Sequence, residues 1–159
     1  MSDKGQSRIV EIRLDAGSII RWNAEVEHER QVAVFDLLES NLFELKDGFG
    51  GPYKVELSLQ GTTLVFLVKD EAGSRTAEIG LAIRPFRRII KDYFLICDSY
   101  FEAIRTASPS RIEAIDMGRR GLHNEGAEKL AEALAGKVRV DDETARRLFT
   151  LVCVLHIRG

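Results

Sequence analysis

Tyr53-Lys54-Val55-Glu56-Leu57-Ser58-Leu59-Gln60, then Gly61, then Leu64-Val65-Phe66-Leu67-Val68, is the stretch from which the rest of the chain can be read. In the first run Tyr53, Val55, Leu57 and Leu59 alternate with Lys54, Glu56, Ser58 and Gln60, the period of a strand with one face in a core. Gln60-Gly61 makes a tight connection, so the two runs predict a hairpin. The second run is apolar on both faces and is expected inside a sheet. Asp70-Glu71-Ala72-Gly73-Ser74 then leads to a third strand with Ala77, Ile79, Leu81 and Ile83 facing inward. Gly80, in its middle, predicts a bulge or the close approach of another element. Together these form an antiparallel meander.

Upstream, a polar tail over residues 1–7 precedes Ile9-Val10-Glu11-Ile12-Arg13-Leu14, which reads as a half-buried strand with Val10, Ile12 and Leu14 on one face. Asp15-Ala16-Gly17-Ser18 breaks it. Asn23 is expected to cap a helix from Ala24 to Ser40, in which Val26, Arg30, Ala33, Val34, Leu37 and Leu38 recur at helical spacing. Its His28 lies among Glu25 and Glu29 and reads as a surface histidine. Leu42 to Lys46 is either a short edge strand or a helix exit. Gly48-Phe49-Gly50-Gly51-Pro52 interrupts regular structure, and the Phe49 ring is expected to fold back over the core.

Downstream of Pro85 the period changes from two to that of a helix. Phe86, Ile89, Ile90, Tyr93, Phe94, Cys97, Tyr100, Phe101 and Ile104 form one stripe over about five turns. The polar edge of this helix carries Arg88 and Asp92 one turn apart, with Lys91 between them. Ala107-Ser108-Pro109 ends it and starts a short helix through Ile112, Ile115 and Met117, for which Gly118 is the expected stop. Ala127, Leu130, Ala131 and Leu134 mark another short helix, ended by Gly136. Val138 and Val140 add a few extended residues, and Asp141 or Asp142 caps a last helix whose Leu148 to Leu155 are almost all apolar. The expected fold class is α+β: an antiparallel sheet of about four strands with helices packed on one face, and an all-helical C-terminal half.

With 159 residues, 45% of them hydrophobic, the chain is long enough for a substantial core, and a single domain over 1–159 is expected. The 23 Lys and Arg against 25 Asp and Glu leave a net charge of −2, which gives no support for general nucleic-acid affinity. No apolar run approaches the roughly 18 residues that would span a bilayer, and the start is polar, so a cytoplasmic protein is expected. Cys97 and Cys153 lie in apolar helical patterns without a Cys-x-x-Cys partner and read as core residues. His28, His123 and His156 fall on separate elements without metal-ligand spacing, and no nucleotide loop or nucleophile elbow is present. No metal or cofactor is indicated.

The densest polar cluster is Gly118-Arg119-Arg120-Gly121-Leu122-His123-Asn124-Glu125-Gly126. Read as a glycine-flanked corner between two short helices, it would let Arg119 and Arg120, with Asn124, hold an anion. The plain alternative is a solvated corner. An enzymatic version makes His123 and Glu125 an acid/base pair acting on a phosphorylated or carboxylated small molecule. Because the corner supplies only one wall, Arg88, Lys91, Asp92 and Arg147 are the expected partners from the long and last helices. The favoured reading is binding of an anionic small molecule or an acidic protein partner, in a protein expected to be a homodimer.

Phe86-Arg87-Arg88-Ile89-Ile90-Lys91-Asp92-Tyr93-Phe94-Leu95-Ile96-Cys97, Ala114 through Gly126, and Ala145-Arg146-Arg147-Leu148-Phe149-Thr150-Leu151 carry a likeness over nearly the whole chain. Glu27-His28-Glu29-Arg30 and Leu155-His156 extend it. With these runs the chain resembles a bacterial family, uncharacterised protein family 0262. The resemblance implies a stand-alone cytoplasmic bacterial protein and carries over no catalytic residue, substrate or cofactor.

Overall fold

The structure is a computed structural model that describes residues 6–15 and 24–156. The expected Asn23 cap, most of the break after Leu14 and the first five residues of the polar tail lie outside them. The strands are β1 (Ile9–Leu14), β2 (Phe43–Leu45), β3 (Tyr53–Gln60), β4 (Thr63–Asp70), β5 (Thr76–Ala82) and β6 (Val138–Val140). The helices are α1 (Ala24–Glu39), α2 (Arg84–Thr106), α3 (Pro109–Leu134) and α4 (Asp142–His156).

The fold is α+β, and the meander is present as β3-β4-β5 within a four-stranded sheet of order β1-β3-β4-β5. Val55 pairs with Val68 and Leu57 with Phe66, so one face presents a continuous apolar surface to the helices. Gly61, at φ +64°, makes the two-residue turn between β3 and β4. The β4–β5 register runs unbroken from Thr63↔Ala82 to Lys69↔Thr76, so Gly80 makes no bulge. It makes a close approach instead: a Cβ there would lie 3.2 Å from Thr63 Cγ2.

Two strand expectations are corrected. β1 runs parallel to β3, so the sheet is mostly rather than wholly antiparallel. The helix α1 lies between them in sequence and allows this direction, which a tight hairpin could not. A register shift between Ile9 and Glu11 also changes the phase of β1, so Ile9 and Ile12 are buried while Val10 and Leu14 are only half-buried. The alternatives for Leu42 to Lys46 resolve through a distant partner. β2 pairs antiparallel with β6 in a second, two-stranded sheet, tied across by the Arg139–Glu44 ion pair at 2.9 Å.

The helices follow their apolar stripes. Phe86, Ile89, Ile90, Tyr93 and Cys97 of α2 are buried, but the stripe drifts at its end, where Ala103 is buried and Ile104 is 50% exposed. The reason is that positions spaced by three and four cannot stay on one line of a 3.6-residue helix for five turns. Cys97 and Cys153 are free, buried thiols. Asp141 is the cap of α4, its Oδ1 accepting the Thr144 N–H at 2.9 Å, and Leu148, Phe149 and the run Leu151 to Leu155 are buried. Fully buried Thr144 in turn accepts the Leu42 N–H at 2.9 Å, which fixes the start of α4 against the approach to β2. No helix among the described residues is long and apolar enough to cross a membrane.

The largest correction concerns Gly118 to Gly126. The predicted stop at Gly118 and the corner beyond it do not exist: α3 is one helix of 26 residues that begins at Pro109 under a Ser108 cap. Three internal glycines weaken such a helix by roughly 1 kcal/mol each relative to alanine. Packing offsets this where it matters. A Cβ at Gly126 would sit 2.1 Å from Phe149 Cζ, and one at Gly118 would sit 2.8 Å from Ile96 Cδ1. These glycines let α4 and α2 come close to α3, and none of them has the positive φ of Gly61 and Gly73.

Candidate functional site

The straightness of α3 decides which residues of the polar cluster meet. Arg119 and His123 are one turn apart and share a face, whereas Glu125 is two residues past His123 and points elsewhere. Arg119 and His123 line a cleft of about 670 Å³ between α1 and the α3–α4 pair. The α1 wall carries Glu25, His28, Glu29 and Asp36 around Val32 and Ala33. The opposite wall adds Glu143, Arg146, Arg147 and Thr150 from α4, and Phe101 of α2 contributes a ring.

His123 is the most constrained group in the cleft. Its ring packs against Tyr93 and Phe149, with centroids 5.4 and 5.5 Å away. Nε2 lies 2.7 Å from Thr150 Oγ1, and the Thr150 hydroxyl donates to the Arg146 carbonyl at 3.3 Å. Nδ1 has no hydrogen-bond partner among the described residues. Burial pushes the imidazole pKa down to about 4, helped by the nearby Arg146, Arg119 and Arg147 guanidiniums, with Glu143 opposing. At neutral pH the ring is uncharged.

Around it the arginines are held in place but keep donors free. Arg119 donates from Nε and Nη2 to Asp116 Oδ1 at 3.1 and 2.6 Å, and its guanidinium lies 4.5 Å above the Tyr100 ring. That pairing keeps the Asp116 carboxyl below its ordinary value. Arg146 donates to Asn124 Oδ1 and lies 3.7 Å from Glu143. Arg147 donates to Glu143 Oε2 at 3.0 Å, and its Nε faces Asp36 Oδ2 across the cleft at 3.8 Å. That second distance gives attraction but no hydrogen bond. Arg147 Nε is buried and without a hydrogen-bond partner, although the side chain as a whole is 29% exposed.

Several expected site residues are placed elsewhere. Arg120 is bound to Asp116 at 2.8 Å and does not line the cleft, and Glu125 is exposed. Arg88 and Lys91 are exposed on α2, and Asp92 lies only 4.0 Å from Arg88, all three outside the cleft. Asn124 is outside too, but it orients Arg146 from behind. Arg147 lines the cleft. The polar cleft residues that the sequence reading did not place in a site include Glu25, Glu29, Asp36, Glu143 and Thr150. Their signal is in the spacing: Glu25, His28, Glu29, Val32 and Asp36 trace one helical face, as do Glu143, Arg146, Arg147 and Thr150. Among the described residues no group of three or more His, Cys, Asp or Glu side chains is placed to hold a metal ion.

The model of the Uncharacterised protein family (UPF0262) matches residues 6–158. The chain is similar to a UPF0262 protein of Rhizobium etli, 58% identical over 98% of both chains. It is also similar to one of Rhodospirillum rubrum, 56% identical over 98% of this chain and 96% of the other. A third, from Rhodopseudomonas palustris, is 54% identical over 99% and 96% respectively. No solved structure matches.

Proposed function

The chain belongs to the UPF0262 family, and on that premise we propose that it is a cytoplasmic binding protein whose α1–α3–α4 cleft holds a small molecule by a carboxylate or phosphate group. The observation that carries this reading is that Arg119, Arg146 and Arg147 line one cleft and each keeps N–H groups without a hydrogen-bond partner among the described residues. A guanidinium has five donors in a fixed fork, and those the protein leaves unbonded can be met by a carboxylate or phosphate. Asp116, Glu143 and Asn124 hold the three side chains in place, so little side-chain entropy is lost on binding.

Turnover with His123 as acid or base is the less favoured reading. A histidine whose pKa lies near 4 carries almost no proton at neutral pH and is a weak base, whereas acid/base catalysis is best served by a value near the working pH. Neutral His123 suits hydrogen bonding. The expected homodimer is part of the proposal on separate grounds, the exposure of Leu95 and Ile104 on α2, and sedimentation at several concentrations tests it.

The test of the binding reading is calorimetric titration with inorganic phosphate and with acetate, using the wild type and Arg147→Gln. Loss of a charge-assisted hydrogen bond of about 1.5–3 kcal/mol predicts at least tenfold weaker binding in the variant. Equal affinity of the two proteins for both anions would remove Arg147 from the site.

A further inference from the structure

The cleft is not uniformly basic. Four carboxylates line it, Glu25, Glu29, Asp36 and Glu143, against the three guanidiniums of Arg119, Arg146 and Arg147, while His123 is neutral. A simple anion would add negative charge to a lining that is already balanced towards acid. The charges are also separated in space, with three of the carboxylates on α1 and all three guanidiniums on α3 and α4. Asp36 and Glu143 are neutralised by Arg147 and Arg146. Glu25 and Glu29 have no hydrogen bond or ion pair among the described residues, and Glu29 is half-buried. Their carboxylate oxygens stay open to water and free to pair with a cationic group on a ligand.

A second, narrower groove explains what kind of cation would fit. It has a volume of about 30 Å³ and lies beside the main cleft, sharing Glu25, Glu29, Phe101 and Thr150 with it. Its remaining walls bring in the Tyr93 and Phe94 rings and a third carboxylate, Asp98. Carboxylates combined with aromatic faces attract organic cations, because the ring quadrupole adds to the ion pairing.

We propose that the ligand of this depression is a zwitterion, its carboxylate or phosphate held by Arg119 and Arg147 and its amine or guanidine held by Glu29 and the Phe101 ring. This rests on the anion-binding reading above and adds the second charge to it. Discrimination arises because the acidic wall attracts the cationic end and repels a ligand that carries only negative charge.

The experiment is calorimetric titration of the full chain with matched probes: 4-aminobutyrate and 6-aminohexanoate against butyrate and hexanoate. At least one zwitterion is expected to bind tenfold or more tightly than the carboxylate of equal length. In Glu29→Gln, with folding verified by an unchanged thermal melt, that ratio is expected to fall to about one. Carboxylates that equal or exceed both zwitterions would overturn the zwitterion and leave the arginine wall standing. A preference that survives in Glu29→Gln would also overturn it. Failure of every probe to bind would remove both readings.

Discussion

Gly121→Ala separates a continuous α3 from a glycine corner more sharply than any other single substitution. Nothing lies within 4 Å of a Cβ placed at Gly121, and its φ is not positive, so alanine meets neither a clash nor a forbidden conformation. In a helix interior the change stabilises by about 0.5–1 kcal/mol, since glycine loses more backbone entropy on folding. For a chain of 159 residues that corresponds to a rise in Tm of about 1–4 °C, read by calorimetry with a urea titration to confirm the sign. Gly126→Ala supplies the contrast. There the new methyl meets the fully buried Phe149 ring at 2.1–2.5 Å, an overpacking that costs about 1–3 kcal/mol against the same helical gain. The net expectation is a loss of up to about 2.5 kcal/mol. A fall in Tm for Gly121→Ala would refute the reasoning, because only a conformation closed to alanine could produce it at an uncrowded position.

Two further outcomes follow from buried polar groups. The His123 pKa is lowered in the folded state to about 4, so between that pH and the ordinary value of 6.5 the unfolded chain binds a proton that the folded one does not. Stability contributed by neutral His123 is thus full above pH 6.5 and is lost as pH falls towards 4, by about 2–3 kcal/mol. Urea titrations at pH 7.5 and 4.5 should show a smaller acid loss in His123→Gln than in the wild type, and equal losses would show that the ring is not the source. Thr144→Val leaves the Leu42 N–H without its acceptor and should cost about 1–3 kcal/mol in the same assay, whereas an unchanged midpoint would show that this bond contributes nothing.

What was legible in the sequence was whatever depends on local periodicity. The β3-β4-β5 meander follows from two-residue alternation and the Gly61 turn, and α2 and α4 follow from their stripes, because side-chain direction repeats with the backbone whatever the rest of the chain does. The pairing direction of β1 and the identity of the β2 partner could not be anticipated, since a strand's own pattern says nothing about which edge it meets or from which end.

The glycines of α3 show where local reading ends. By propensity Gly118, Gly121 and Gly126 signal a break, and a break would have clustered Arg119, Arg120, His123 and Glu125 in one loop. At Gly126 and Gly118 that signal is overridden by Phe149 and Ile96, which pack where these two glycines have no side chains, a fact written in residues more than twenty positions away. Once α3 is straight, its 3.6-residue turn splits the cluster: Arg119 and His123 go to the cleft, Arg120 to Asp116, and Glu125 to solvent. The sequence by itself determined the residue types and the buried faces of the meander strands and of α4. Only the tertiary structure set an acidic face of α1 opposite a basic face of α3 and α4, because the meeting of two faces depends on packing between elements that no local pattern encodes.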